Sequence, residues 1–297
     1  MQEFSLDFLK CIRCGSKLDL DIFKKVIEIE EGILECKKCT LCFPIIKKIP
    51  IIWDDFSKYI SERIMLGGKL FNSVSHYKMK KFLRDSLSNS KRNNDDRTTL
   101  ENRWTAIYQN SQKSKFYSLI QNELSIIPKS KLVLEYGCSI GIMSNFLANF
   151  HQTVFGIDRS FSAISLAKKT QKDNMDYFVA DSLSQIFGKM KFDLILALNI
   201  LEFIEPGDLL KHVYQQISKG TFVLSDPYDF DRGKNSVKKP LNELSLRKTI
   251  EEVGFNITTK TKKPSYLPWS LKLNLRTTLN YKVDLIIAKK GDTDFIL

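Results

Sequence analysis

The sequence predicts an α/β fold: a doubly wound sheet domain behind a small cysteine-held module and a helical connection. Three observations predict it. Residues 131–141, KLVLEYGCSIG, form an apolar run that ends in a glycine-bearing turn and leads into a helix-like stretch, IMSNFLANF. From there onward, apolar runs of strand length alternate with helix-like segments, the pattern of βαβ units and a parallel sheet. Far upstream, two C-x2-C pairs, Cys11/Cys14 and Cys36/Cys39, stand 21 residues apart.

Composition sets the bounds. At 297 residues, 43% hydrophobic and 27% charged, the chain has room for about two domains with a sizeable core, and disordered or fibrous classes are excluded. No uninterrupted apolar run approaches the roughly 20 residues that span a bilayer, and MQEFSLDFLK lacks the basic start and apolar core of a secretion signal. A cytoplasmic location without membrane contact is expected. The net charge of +12 is uneven. Lys and Arg outnumber Asp and Glu by 10 to 6 in residues 54–100 and by 14 to 8 in residues 228–297, and nearly balance elsewhere. Such an excess fits either a footprint for RNA or an acidic partner, or a lysine-rich solvated surface.

Residues 1–53 read as a metal module. Two thiolates on each of two tight turns complete a tetrahedral four-cysteine site, so Cys11, Cys14, Cys36 and Cys39 are expected to hold a structural zinc ion. Clustered cysteines without a secretion signal favour metal over disulfides. Cys42 is a spare thiol. The stretch CTLCFPIIKKIPIIW resembles the Trm-type zinc-ribbon family of methyltransferase activators, which follow C-x2-C with aromatic-Pro-Ile and then Ile-Pro. Phe43-Pro44-Ile45 and Ile49-Pro50-Ile51 match that order, while Lys48 replaces the glycine usual just before Ile-Pro. Free-standing members are partners that stabilise methyltransferases, so this resemblance implies a methyltransferase behind the module.

Residues 54–98 read as a helical and polar linker. Phe56, Ile60, Ile64, Phe71, Val74 and Tyr77 recur at helical spacing as a packing stripe, interrupted by Gly67-Gly68. The polar stretch at 88–99 marks the boundary of the last domain, residues 99–297. A second helix is expected over residues 103–124, with Trp104, Tyr108, Phe116 and Tyr117 along it. His76, His151 and His212 have no partner motif and read as structural.

The turn at Gly137 and Gly141 lets a ligand approach the backbone, because glycine carries no Cβ, and the helix after it offers free N–H groups. It lacks the G-x-G-x-x-G of a dinucleotide site, since Ser139 takes the middle position. Instead, Glu135 precedes the first glycine, and E-x-G-x-x-x-G resembles motif I of class I S-adenosylmethionine (SAM) methyltransferases. That family's fold is a Rossmann-like seven-stranded sheet, in which the acid at the first strand faces the methionine amino group. QTVFGID ends in Asp158, 23 residues after Glu135, and an acid there can accept both ribose hydroxyls. MDYFVAD ends in Asp181, placed for the adenine amine. FDLILAL and GTFVLSD are the fourth and fifth strands, and FNITTK with YKVDLIIAKK resemble the antiparallel final hairpin. The residues expected around the cofactor are Glu135, Gly137, Cys138, Ser139, Gly141, Asp158, Arg159, Asp181, Ser182 and Asn199.

The acceptor normally lies beyond strands four and five. There Asp226 and Tyr228 are the candidate catalytic residues, within Ser225-Asp226-Pro227-Tyr228, which weakly resembles a segment of imidazole N-methyltransferase domains. The insertion KKPSYLPWSLKLNLRTT is a candidate wall of the acceptor site. The expected activity is SAM-dependent methyl transfer to a nitrogen or oxygen of a small-molecule or side-chain acceptor. An RNA methyltransferase using the zinc ribbon and basic tail is the alternative, and a non-catalytic scaffold is the third reading.

Overall fold

The structure, a computed structural model, describes residues 1–89, 96–231, 233 and 236–291. Half of the polar stretch 88–99 in which the sequence sets its domain boundary, residues 90–95, lies outside them. The elements in chain order are β1 (Asp19–Lys25), β2 (Ile29–Glu35), β3 (Cys42–Ile46), β4 (Ile49–Ile52), α1 (Phe56–Ser61), α2 (Ile64–Ser73), α3 (Tyr77–Asn89), α4 (Arg97–Asn110) and α5 (Lys115–Ser125). They continue with β5 (Leu132–Tyr136), α6 (Ile142–Leu147), β6 (Thr153–Asp158), α7 (Phe161–Ala167), β7 (Met175–Ala180), β8 (Phe192–Leu198) and α8 (Pro206–Gln216). The last are β9 (Ile217–Asp226), α9 (Glu243–Val253), β10 (Asn256–Ile257), β11 (Leu267–Lys272) and β12 (Thr278–Lys290). No helix among the described residues is long and apolar enough to cross a membrane.

The chain forms two compact units. The first comprises Met1–Ala106, Ser139–Gly141 and Ile157–Met190. In it β1 to β4 form an antiparallel meander, and β4 then pairs in parallel with β7, Ile51 opposite Val179 and Ile52 opposite Ala180. The module's last strand is therefore also a strand of the sheet that carries the expected adenosine-side acids. The β3–β4 turn sets Lys47 and Lys48 at φ 51° and 69°, the left-handed pair that a two-residue hairpin turn requires. Glycine would adopt this without strain, so the two lysines hold a turn normally left to other residues.

The connecting helices pack differently from the expected stripe. Phe56, Ile60 and Val74 of that stripe are buried, but Tyr77 is 70% exposed and Ile64 also faces solvent, and Leu66, Leu70, Met79 and Leu83 are buried instead. The phase resets because α2 begins afresh at Ile64, after the break at Arg63. Gly67 and Gly68 do not interrupt the helix but lie inside it. A Cβ on Gly67 would stand 2.7 Å from both Ile60 and Leu87, so glycine there lets the helices approach closely.

The second unit comprises Ile107–Cys138, Ile142–Gly156 and Lys191–Leu297. Its strands run in the order β5-β8-β9-β12-β10, with β11 also paired to β12. β5, β8 and β9 are parallel, β12 runs antiparallel to β9, and β10 pairs antiparallel with β12, as the expected final hairpin requires. The interior strands are continuous apolar runs because both faces of a parallel sheet are covered. Asp193 accepts the Lys131 and Leu132 N–H groups at 2.8 and 3.0 Å and fixes where β5 begins. An Asn242–Ser245 capping box opens α9, and Gly254 at φ 110° ends it.

Two expectations change here. The helix expected over residues 103–124 is broken at 111–114, where the Ser111 and Ser114 hydroxyls accept the Lys272 and Ser270 N–H groups at 2.8 and 3.1 Å. The break satisfies an edge strand that would otherwise stand bare. That strand is β11, so the Pro/Trp insertion folds as a hairpin on β12, Trp269 opposite Tyr281.

Candidate active site and metal centre

The two cysteine knuckles are built alike. Gly15 N–H donates to the Cys11 carbonyl at 2.8 Å and Thr40 N–H to that of Cys36 at 2.7 Å, with Gly15 at φ 69° and Thr40 at φ 58°. These turns bring the Sγ atoms of Cys11, Cys14, Cys36 and Cys39 within 4.8 Å of one another. Zinc–thiolate bonds of about 2.3 Å in a tetrahedron set sulfurs roughly 3.8 Å apart, so the four thiols fit one zinc ion. The bond to Ser16 pushes the Cys14 thiol down to about 6, while Cys14 in turn pushes the Cys39 thiol up to about 12; a metal needs all four as thiolates. Cys42 stands outside the cluster, its thiol 3.9 Å from the Thr40 carbonyl.

In the first unit the centre is Asp158, at the end of β6. Its Oδ2 accepts the Ser139 N–H at 2.9 Å and its Oδ1 the Ser160 N–H at 2.8 Å. Ser139 sits at φ 49°, so the glycine-bearing turn is drawn onto the acid by its own backbone. Burial pushes the Asp158 carboxyl above the usual range, against the two backbone donors. An ionised carboxylate offers about four lone-pair positions, and those two bonds leave the others for a ligand. Gly141 is at φ 77°, and a Cβ there would strike the Tyr177 hydroxyl. Asp181 follows β7 and accepts the Leu183 N–H at 2.9 Å. Ser182 is half-buried and Arg159 exposed.

In the second unit Glu135 is buried near the end of β5 and accepts the Ser144 hydroxyl. Gly137 is at φ 64°, and a Cβ there would strike Ile200. Cys138, beside it, is buried. Asn199, just past β8, is held at φ 55°. Its N–H donates to the Ser225 carbonyl at 2.7 Å, and its Oδ1 accepts the Ser225 hydroxyl at 2.9 Å.

Asp226 is 1% exposed at the end of β9. It accepts the Tyr228 N–H at 2.7 Å and the Leu201 N–H at 3.1 Å, which ties the exits of β8 and β9 together. Burial pushes its carboxyl up to about 7. Tyr228, at φ 55°, gives its backbone to Asp226 but its hydroxyl to Asp284, at 2.7 Å. Burial, then the Asp284 bond, raise the phenol, which stays a donor. Asp284 is gripped by Arg247 at 2.6 and 3.0 Å and by the Ser265 N–H at 2.8 Å. The structure thus joins the Asp226 carboxylate to the Tyr228 backbone N–H rather than to the Tyr228 hydroxyl.

Sequence reasoning missed Ser144 and the Arg247–Asp284 pair. A serine opening the helix after the glycine turn, beside a strand-end acid, is a usable local signal for the first. Nothing local announces the second, whose members lie 37 residues apart. His151 accepts the Ser130 N–H at 3.0 Å, and His76 stacks on Phe23 at 4.4 Å.

Comparison with known proteins bears on the family and the fold. The family described as "Methyltransferase domain" matches residues 108–260, more than half of the chain, and "Trm112p-like protein" matches residues 3–47. A ubiquinone biosynthesis O-methyltransferase of Coxiella burnetii (strain Dugway 5J108-111) is 32% identical over 102 residues, 33% of this chain and 44% of that protein. The mitochondrial ubiquinone biosynthesis O-methyltransferase of Schizosaccharomyces pombe is 29% identical over 125 residues, covering 39% and 44%. The chain therefore spans less than half the length of these curated relatives. Among solved structures, a chain from a Haloferax volcanii complex containing the Trm112 methyltransferase activator superposes with TM-score 0.52 at 12% identity, over 64% of this chain and 95% of that one. Magnesium protoporphyrin IX methyltransferase from Synechocystis PCC 6803 superposes with TM-score 0.50 at 18% identity, over 65% and 95%. At such identities these likenesses show the fold alone. The chain belongs to the methyltransferase-domain family, whose fold serves SAM-dependent methyl transfer, and it carries a Trm112p-like domain ahead of that one.

Proposed function

We propose that the protein is a SAM-dependent methyltransferase acting on a nitrogen or oxygen of a small-molecule or side-chain acceptor. The observation that carries this reading is the glycine turn after β5, whose Ser139 N–H is bonded to the strand-end acid Asp158. Small-molecule O-methylation is supported by the two relatives called ubiquinone biosynthesis O-methyltransferases.

In this reading Glu135 receives the methionine ammonium, Asp158 the ribose hydroxyls and Asp181 the adenine amine. Gly137, Cys138, Ser139 and Gly141 admit the cofactor to the backbone, and Arg159, Ser182 and Asn199 border it. When bound, the cofactor supplies an activated methyl group on a sulfonium, and holding an acceptor in line with it provides much of the acceleration. Asp226, buried with a carboxyl near 7, is the group assigned to take a proton from the acceptor atom. Tyr228 keeps the Asp226 loop in place through its bond to Asp284. Cys11, Cys14, Cys36 and Cys39 hold a structural zinc ion. An RNA acceptor is the second reading, favoured by the 14-to-8 excess of basic residues in 228–297.

Isothermal titration tests the assignment. Wild type is expected to bind SAM with roughly micromolar affinity, and Asp158→Ala to weaken it about 30-fold or more, given roughly 1.5–3 kcal/mol for each hydrogen bond to a charged group. An acceptor screen with phenols, imidazoles and bulk tRNA then separates the readings. No binding by folded, zinc-loaded wild type would overturn the proposal.

A further inference from the structure

Residues 48–107 lie between the two matched ranges, and within them runs a buried polar chain that ends on the turn carrying Asp158. Arg63 is fully buried, its Nε and Nη2 on one oxygen of Glu101 at 2.9 and 2.6 Å. Its Nη1 reaches the Tyr59 carbonyl at 3.2 Å, and its guanidinium lies 4.1 Å from the Tyr59 ring centroid. Tyr59, 1% exposed, donates its hydroxyl to the Arg159 carbonyl at 3.1 Å. Arg159 directly follows Asp158, whose Oδ1 caps the next N–H, that of Ser160. The carbonyl held by Tyr59 and the carboxylate of Asp158 therefore belong to one turn. A second tie joins the same elements: the Ser162 hydroxyl on α7 donates to Asn102 Oδ1 on α4.

We propose that Tyr59, Arg63 and Glu101 are positioning residues that aim the Asp158 carboxylate at a ribose, making this helical layer part of the cofactor site. The inference rests on the reading of Asp158 as a cofactor contact. Packing alone does not call for this arrangement. Burying a guanidinium costs several kcal/mol, and apolar side chains of similar volume often serve stability as well or better. A fully buried arginine clamped on both sides of a tyrosine instead fixes where that hydroxyl points. Burial raises the Tyr59 phenol well out of the titrating range, so it stays a donor.

The test is Tyr59→Phe, which removes one hydroxyl and little volume. Binding of S-adenosylhomocysteine and of its 2′,3′-dideoxy analogue is measured on wild type, Tyr59→Phe, Glu101→Gln and Asp158→Ala, with zinc content and Tm as controls. Tyr59→Phe is expected to bind the ribose ligand about five- to tenfold more weakly, the worth of roughly one hydrogen bond. Binding of the dideoxy analogue stays within about twofold, since the bond acts only through the ribose contact. Glu101→Gln follows in the same direction with a smaller loss. Equal losses for both ligands, or no loss, would overturn the positioning role. If Asp158→Ala itself keeps full preference for the ribose ligand, the cofactor reading falls. If Asp158→Ala loses that preference and Tyr59→Phe keeps it, only this inference falls.

Discussion

The cysteine cluster and the strand-end acids are both gatherings of metal- or ligand-capable side chains, yet they are finished to different degrees. Cys11, Cys14, Cys36 and Cys39 face one another within 4.8 Å and leave no direction open once a metal joins them. Asp158 and Asp226 each accept two backbone N–H groups and retain lone pairs beyond those bonds. A donor set that closes on itself does structural work, whereas one half-satisfied by its own backbone is rigid and still able to bind. The backbone bonds matter as much as the open positions, because they fix the direction in which each carboxylate acts.

The largest effect that bears on this contrast is removal of the metal. Stripping zinc with a chelator, or Cys36→Ser, should cost more than about 5 kcal/mol of unfolding free energy, since structural zinc sites contribute about 10–16 kcal/mol in small domains. A melt that does not move on chelation would break the closed-site half of the comparison. Next comes Asp226. Its folded pKa, about 7, lies above the 3.8 of a free aspartate, so its stabilising contribution is complete below about 4 and is lost as pH rises through 7. At about 1.4 kcal/mol per unit, the decline reaches up to about 4 kcal/mol. Denaturant unfolding of wild type and Asp226→Asn between pH 4 and 8 should show it as wild type losing stability relative to the variant as pH rises, by up to about 4 kcal/mol. A constant difference would mean that Asp226 does not titrate in this window. The smallest effect is at Lys48, held at φ 69°. Lys48→Gly should raise stability by about 1 kcal/mol through relief of left-handed strain. A loss in urea denaturation would show that contacts such as the 3.7 Å approach of Lys48 to Glu28 outweigh the strain.

Much of this was legible in the chain. The cysteine spacing announces the cluster because two ligands per turn is a local geometry. The runs LVLEY, VFGID, FDLILAL and FVLSD announce parallel strands because both faces of each must be apolar. Gly137 and Gly141 are readable because only glycine tolerates both their φ angles and the closeness of Ile200 and Tyr177. The misses have a common cause. The reset of the helical stripe at Arg63, the break at Ser111–Ser114, and the Tyr59–Arg159 and Arg247–Asp284 contacts all depend on partners distant in sequence. Periodicity carries no information about those partners. The β3–β4 turn is a third kind of case, in which Ile46–Ile49 pairing imposes a backbone that neither lysine prefers.

The parallel pairing of β4 with β7 also sets the terms of supply. A free-standing activator must be made, must find its enzyme, and leaves that enzyme incomplete whenever it is scarce. In this chain the two strands arrive together at a fixed one-to-one ratio and, being tethered, meet at an effective concentration on the order of millimolar or higher. The pairing of these two strands thereby needs no second chain, and dilution does not undo it.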